Sequence, residues 1–263
     1  MEFNADTPTS LLEASVIQWQ WKEDVFPECD QFNGIHEGLV QSWKDIFPKK
    51  GEIHFAGALE NNEDTGTLQY LASAAMEAGF STRVLDMQAL DLQNGRFFDP
   101  AGELVNRCFK LYPWEWMVDE SPDGCLAEME WLEPIWKLVM SNKAILATLY
   151  ELFPDSPYVL PCYLSRPRSG LFFKKTVFSR EGHNVSVVDI RDWEEYVRIA
   201  ETEGDYNTGA YVYQEYVEPT AYSGRYPVIG SWIIGGEAAG IGIRENRMEV
   251  TDNLSEFVPH IIG

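Results

Sequence analysis

The residues best suited to polar chemistry in this 263-residue chain are two lysines, two arginines and a short acidic N-terminus. Lys143 follows a predicted helix start, and Lys175 lies in the extended apolar run LFFKKTVF (171–178). FSREGHNVS (178–186) then reads as strand, glycine-bearing turn and strand, with Arg180 in the turn. A glycine turn lets backbone N–H groups approach phosphate oxygens, while lysine and arginine neutralise them. Arg244 ends a further strand, GIGIR, and could bring a second guanidinium to the same place. Each signal alone has a plainer explanation: a hairpin with exposed basic side chains, and a strand-end surface arginine. Glu2 and Asn4 sit at i and i+2 of the extended segment MEFNAD, so strand alternation places both on one face. A carboxylate and an amide oxygen suit a hard cation such as Mg²⁺, which also takes phosphate oxygens. Thr7, Thr9 and Ser10 line a proline-bearing turn whose hydroxyls either bind a carboxylate or cap the next helix.

These residues need elements to hold them. GEIHFAG (51–57) reads as a short buried strand, followed by the acidic loop ALENNEDTG, a helix through TLQYLASAAMEAGF and a strand at TRVLDM. That β-loop-α-β unit belongs to a parallel sheet, and without GxGxxG it carries no dinucleotide signal. The acid-rich segment from Glu115 to Glu133, with SPDG at 121–124, reads as a boundary. A helix capped by Ser141 or Asn142 runs through KAILATLYEL and stops before Pro154. Beyond it come strands at 171–178, 184–190, 211–217, 227–236 and 238–244, with a helix predicted at DWEEYVRIA (192–200).

Forty-two acidic against 20 basic side chains give a formal net charge of -22. Nucleic acid and anionic membranes both need a basic face, so neither is an expected partner. Most of this charge reads as solvated surface. No apolar run reaches the roughly 20 residues of a membrane helix, and the first ten residues, MEFNADTPTS, are polar. Cys29, Cys108, Cys125 and Cys162 are dispersed, as buried reduced thiols of a cytoplasmic protein would be. The four histidines have no metal-ligand spacing, so no zinc site is expected.

Taken in order, EFNADTPTSLLEA, NEDTGTLQYL, FKLYPWEWM, WLEPIWKLVMSNKAIL, FSREGHNVS, GSWIIGGEAAGIGIRE and the terminal FVPHI resemble the glutathionylspermidine synthase family of ATP-grasp acid–amine ligases. The resemblance is nearer to its stand-alone synthetase-like branch than to bifunctional synthetase/amidase enzymes. It implies an α/β chain with a permuted ATP-grasp fold and an inserted Rossmann-like pre-ATP-grasp domain. Residues 1–30 would give the first strand and metal segment, 31–118 the inserted domain, and 119–263 the rest of the ATP-grasp domain. Glu2 and Asn4 would ligate Mg²⁺. Lys143 and Lys175 would hold ATP phosphates, with Ser179 and Gly182 in a loop (178–183) closing over them and Lys174 solvated. Gln214 and Glu215 would line the adenine pocket, and Arg180 and Arg244 would stabilise the transferring phosphoryl group. Thr7, Thr9, Glu63 and Asp64 fall where the family binds its peptide acid, and Glu256 where it meets a polyamine.

The resemblance also implies an upstream segment ending in an Arg-x-Asp pair shortly before the strand of Glu2 and Asn4. This sequence opens with Met1 at that strand, so one Mg²⁺ ligand, one phosphate-contacting arginine and a neighbouring strand are expected to be missing from it. Two readings stay open: a ligase joining a glutathione-like peptide to a polyamine or similar amine, and a shortened, catalytically weak protein that binds nucleotide or peptide or serves in a complex. Oligomeric state has no signal in the sequence.

Overall fold

The computed structural model describes residues 1–180, 182–192, 196–204, 209–249 and 255–263. The chain divides into two units. One comprises Met1–Asn4, Val139–Val228 and Arg244–Glu256; the other comprises Ala5–Leu138, Ile229–Ile243 and Phe257–Gly263.

In the second of these, a π-helical turn at Glu13–Ile17 runs into α1 (Gln18–Val25), followed by α2 (Ile35–Ile46). Then come β1 (Glu52–Gly57), α3 (Asn62–Glu77) and β2 (Ser81–Asp86), the predicted β-α-β unit. A small antiparallel sheet of β3 (Asp91–Gln93), β4 (Arg96–Phe98) and β5 (Leu104–Val105) precedes β6 (Arg107–Leu111). The segment expected as a boundary folds instead as α4 (Trp114–Glu120), α5 (Pro122–Cys125) and β7 (Glu130–Leu132), and the chain changes units after Leu138.

The main sheet has the order β2-β1-β6-β7, with every neighbour parallel. Parallel sheets need cover on both faces, and β1 has it: Ile53, Phe55 and Ala56 are fully buried. Ile53 and Phe55 meet Trp43, Phe47, Leu68 and Leu71, with the Trp43 ring edge-on to Phe55 at 5.5 Å. Ala56 meets Cys108, Trp114 and Trp131 on the other face. Gly57 closes β1 where a Cβ would stand 3.0 Å from the Leu111 carbonyl oxygen, so the backbone leaves no room for a side chain. The acidic stretch after β1 is shorter as a loop than predicted. Asn61 accepts the Glu63 N–H at 2.9 Å and starts α3 there, placing Glu63 and Asp64 in its first turn, where acids complement the helix dipole.

The other unit begins with the last part of α6 (Lys137–Ser141) and α7 (Ala144–Leu152). Asn142 Oδ1 accepts the Ala144 N–H at 2.8 Å, one of the two caps expected. A five-stranded antiparallel sheet follows, ordered β11-β10-β9-β12-β8. Its strands are β8 (Cys162–Tyr163), β9 (Gly170–Thr176), β10 (Val185–Ile190), β11 (Tyr196–Glu201) and β12 (Tyr211–Glu215). The helix predicted at DWEEYVRIA is not formed: Tyr196–Glu201 is the edge strand β11, paired with β10, and 193–195 lie outside the described residues. The β-branched Val197 and Ile199 suit that strand, and Tyr196 packs against Phe172, Val188 and Ile190. The chain passes between the units along β13 (Tyr226–Ile234) and β14 (Glu237–Asn246), which with β15 (Glu256–Val258) form a three-stranded sheet.

Among the described residues no helix is long and apolar enough to cross a membrane. The four cysteines are free, but only Cys108 and Cys162 are buried; Cys29 and Cys125 are half-buried. Burial pushes the Cys108 thiol up to about 12, which makes it inert.

A cavity of about 450 Å³ opens at the amino ends of β1, β6 and β7, lined by Lys50, Glu52, His54, Asn106, Arg107 and Glu130. Its charges are internally matched, Arg107 with Glu130 at 2.9 Å and Arg83 with Glu52 at 2.9 Å. His54 is the exception. It is 2% exposed, and neither ring nitrogen has a hydrogen-bond partner among the described residues. Asp99 is 3.8 Å away and already accepts from the Ala101 and Glu103 N–H groups and from Arg83. Burial pulls the imidazole below its ordinary pKa of 6.5, so the folded chain resists a proton that the unfolded chain accepts. Stability is therefore full above pH 6.5 and falls as pH drops below it. Urea midpoints of the native chain should decline from about pH 7 to about pH 5.5. His54→Leu should flatten much of that decline, with a residual slope from His260, also lowered by burial. An equal decline in both proteins would refute the assignment.

Candidate functional site

β9 lies between β10 and β12, and its alternation decides the fate of its two adjacent lysines. Phe172 and Lys174 take one face; Phe173 and Lys175 take the other. Lys174, expected to be solvated, instead rests its Nζ 3.8 Å from the centre of the Tyr211 ring. Lys175 is buried on the face that carries Val212 and Gln214, and Val212 packs with Leu146 and Ala147 of α7.

Four distant segments converge there. Lys175 Nζ donates to Gln214 Oε1 at 3.1 Å and to the Met1 carbonyl oxygen at 3.3 Å. The Met1 amine donates to the same Gln214 oxygen at 2.9 Å. Burial and the Lys175 charge push this amine down to about 5. Lys143 is fixed through its backbone, whose N–H donates to the Val177 carbonyl at 2.9 Å. Its buried Nζ donates to the Ser179 carbonyl at 2.6 Å and lies 3.5 Å from Glu2 Oε2. Glu2 thus lies beside the Lys143 ammonium and acts electrostatically on that of Lys175. Burial lowers the Lys175 pKa; Glu2 counters this and Lys143 adds to it. The buried Gln214 Nε2 and Thr176 Oγ1 have no hydrogen-bond partner among the described residues. Two buried ammoniums, with the Gln214 amide N–H and the Thr176 hydroxyl beside them, are chemically complementary to an acceptor-rich anion such as a phosphate chain.

The loop after β9 bears on this site through the Ser179 carbonyl. Gly182 has φ +71°, the left-handed region that glycine adopts without strain, and its carbonyl accepts from Thr202 Oγ1 at 2.5 Å. Arg180 is half-buried in this loop, and its carbonyl accepts the His183 N–H at 2.9 Å. Arg244 is half-buried on β14. Glu215 ends β12 with its side chain exposed and its N–H on the Pro161 carbonyl at 2.8 Å. Glu256 opens β15 and pairs with Arg225 at 2.7 Å. Among the described residues no three His, Cys, Asp or Glu side chains form a metal cluster. The donors available to a hard cation are the exposed Glu2 carboxylate and Asn4 amide. That pair fits Mg²⁺, which keeps several waters and fills its shell from one or two protein oxygens and phosphates.

Thr7, Thr9, Glu63 and Asp64 belong to the parallel-sheet unit. Thr7 is buried, Thr9 and Glu63 are exposed, and Asp64 is half-buried. Beside Thr7 stands a pair the sequence reading missed: Asp6 and Lys110, both fully buried, with Nζ 2.5 Å from Oδ1. The signal was present. A lysine between Phe109 and Leu111 in a buried strand requires a counterion.

These features define an α/β protein with a parallel-sheet unit and an antiparallel-sheet unit that buries two lysines, Lys143 and Lys175. The fold is similar to that of a protein from Methylobacillus flagellatus described as a γ-glutamylcysteine synthetase. The TM-score is 0.57 at 10% identity, over 86% of this chain and 72% of that one. The chain belongs to the glutathionylspermidine synthase pre-ATP-grasp family, whose model matches residues 1–263. It is 37% identical over 273 residues to a Haemophilus influenzae protein named as an acid–amine ligase, covering 98% of this chain and 70% of that one. It is 28% identical over 289 residues to the trypanothione synthetase of Crithidia fasciculata, covering 97% of this chain but only 43% of that one.

Removing one of two mutually repelling buried ammoniums should cost binding and not folding. Lys175→Met is expected to melt at or above the native temperature. It should bind tripolyphosphate about ten-fold more weakly or worse, roughly 1.4 kcal/mol. Calorimetry showing native affinity would refute the anion site.

Proposed function

We propose that this chain is an ATP- and Mg²⁺-dependent acid–amine ligase that activates a peptide carboxylate and joins it to an amine. The observation that carries the proposal is the pair of buried lysines, with Lys143 Nζ 3.5 Å from the Glu2 carboxylate and Lys175 donating to Gln214. In this reading the antiparallel unit is the ATP-grasp part and the parallel-sheet unit the pre-ATP-grasp part.

Lys143 and Lys175 hold the nucleotide phosphates as point charges. They do so at modest reorganisation cost, because the protein has already removed both from bulk water. Ser179 and Gly182 belong to the loop over those phosphates. Gln214 offers its unused Nε2–H to the nucleotide, with Glu215 beside it in sequence. Glu2 and Asn4 would hold Mg²⁺, which would supply neutralisation of phosphate charge. Arg180 and Arg244 stabilise the phosphoryl group in transit. The γ-phosphoryl passes to the peptide carboxylate, giving ADP and an acyl-phosphate. The amine nitrogen then attacks the acyl carbon and phosphate leaves with the C–O bond electrons, so little covalent work falls to the protein. Thr7 and Thr9 hydroxyls receive the reacting carboxylate, Glu63 and Asp64 the peptide's amine. Glu256 is the acid assigned to a polyamine, and must exchange its Arg225 partner to meet one. A glutathione-like peptide and a polyamine are the substrates this reading favours.

The test is ADP release with ATP and Mg²⁺, first with glutathione and spermidine and then with a wider panel of acids and amines. Turnover that needs both an acid and an amine, and that Lys175→Met reduces at least about a hundred-fold, is the expected result. A native protein that releases no ADP with any pair, or a Lys175→Met protein with the native rate, would overturn the reading.

A further inference from the structure

Lys110 is the penultimate residue of β6, beside Ala56 of β1, at the carboxyl edge of the parallel sheet. Ligands of open α/β sheets bind outside that edge. Its Nζ donates to Asp6 Oδ1 at 2.5 Å and to the Tyr112 carbonyl at 2.9 Å, and lies 4.3 Å from the centre of the Trp114 ring. The other Asp6 oxygen accepts the Trp114 N–H at 2.7 Å, satisfying a donor at the start of α4. Asp6 is therefore occupied on both oxygens, and both partners are wholly buried.

An apolar pair of similar size would fill such a space with equal or better stability, because two charges must be stripped of water to make this one. What the pair supplies is direction. It grips the chain immediately before Thr7, while the fully buried Leu11 grips it after Ser10. Between these anchors Ser10 holds φ +60°, a conformation its own side chain disfavours. The turn is thus held by its surroundings and not by local preference.

We infer that Asp6 and Lys110 are a positioning pair for the acid substrate: they fix the Thr7–Ser10 turn against the carboxyl edge of the sheet and thereby set the affinity for the peptide carboxylate. This rests on the ligase reading above. Neither residue touches the reacting atoms; both act through Thr7 and Thr9.

Asp6→Asn with Lys110→Met tests it, since the amide oxygen still accepts the Trp114 N–H and no charge is left unpaired by the exchange. The double variant should melt close to the native protein and keep the KM for ATP within about two-fold. Its KM for the peptide acid should rise about ten-fold or more. Lys110→Arg, which keeps the charge but lengthens the cation in a closed space, should show the same selective rise. Either variant decides the matter if the other fails to fold. An active native enzyme whose folded variants keep the native KM for the acid would overturn this inference alone. A native protein that releases no ADP with any acid would overturn the ligase reading and this inference with it.

Discussion

Two lysine ammoniums, Lys143 and Lys175, are held out of water in the field of the Glu2 carboxylate. Stripping an ion of water costs several kcal/mol even after relaxation. The surrounding fold has to carry that cost. It does so with the apolar face of the five-stranded sheet, where Val177, Val212 and Cys162 pack against Leu146 and Ala147. Carbonyl acceptors at Met1 and Ser179 and the Gln214 amide supply partial compensation. In the ligase reading, these two buried cations are what an incoming phosphate chain meets.

The parallel-sheet unit handles a buried lysine in the opposite way. Lys110 has one carboxylate to itself, a carbonyl and an aromatic face, and Asp6 in turn is satisfied by an amide. Nothing in that pair invites a ligand; it is closed and therefore structural in its contacts, with its influence exerted on the turn that follows.

Much of this was legible in the residues. Apolar extended runs between glycine-bearing turns located β9, β10, β12, β13 and β14, and the β-α-β unit followed from one buried strand and an amphipathic helix. The strand-borne Lys175 and the helix-start Lys143 were recognisable as candidates, and the family resemblance joined them to Glu2 and Gln214. Local signals failed where tertiary pairing overrides them. DWEEYVRIA carries acidic residues ahead of an apolar stretch and reads as a helix, yet the exposed edge of β10 recruits Tyr196–Glu201 as a strand. The acids and the SPDG turn at 115–133 read as a boundary, yet Trp114, Met117 and Trp131 bury deeply and tie that stretch into the parallel-sheet unit.

The sequence by itself determined several of the strands, which residues are charged within them, and the net charge of -22. Those properties are local or additive. Only the tertiary structure decided which of the adjacent lysines 174 and 175 enters the core, because that depends on which face of β9 the α7 helix covers. It set the distances among residues 2, 143, 175 and 214, through the packing of α7 and the register of β9 with β12. And it alone revealed that Asp6 and Lys110 are partners, for nothing local links positions 104 residues apart until the sheet is built between them.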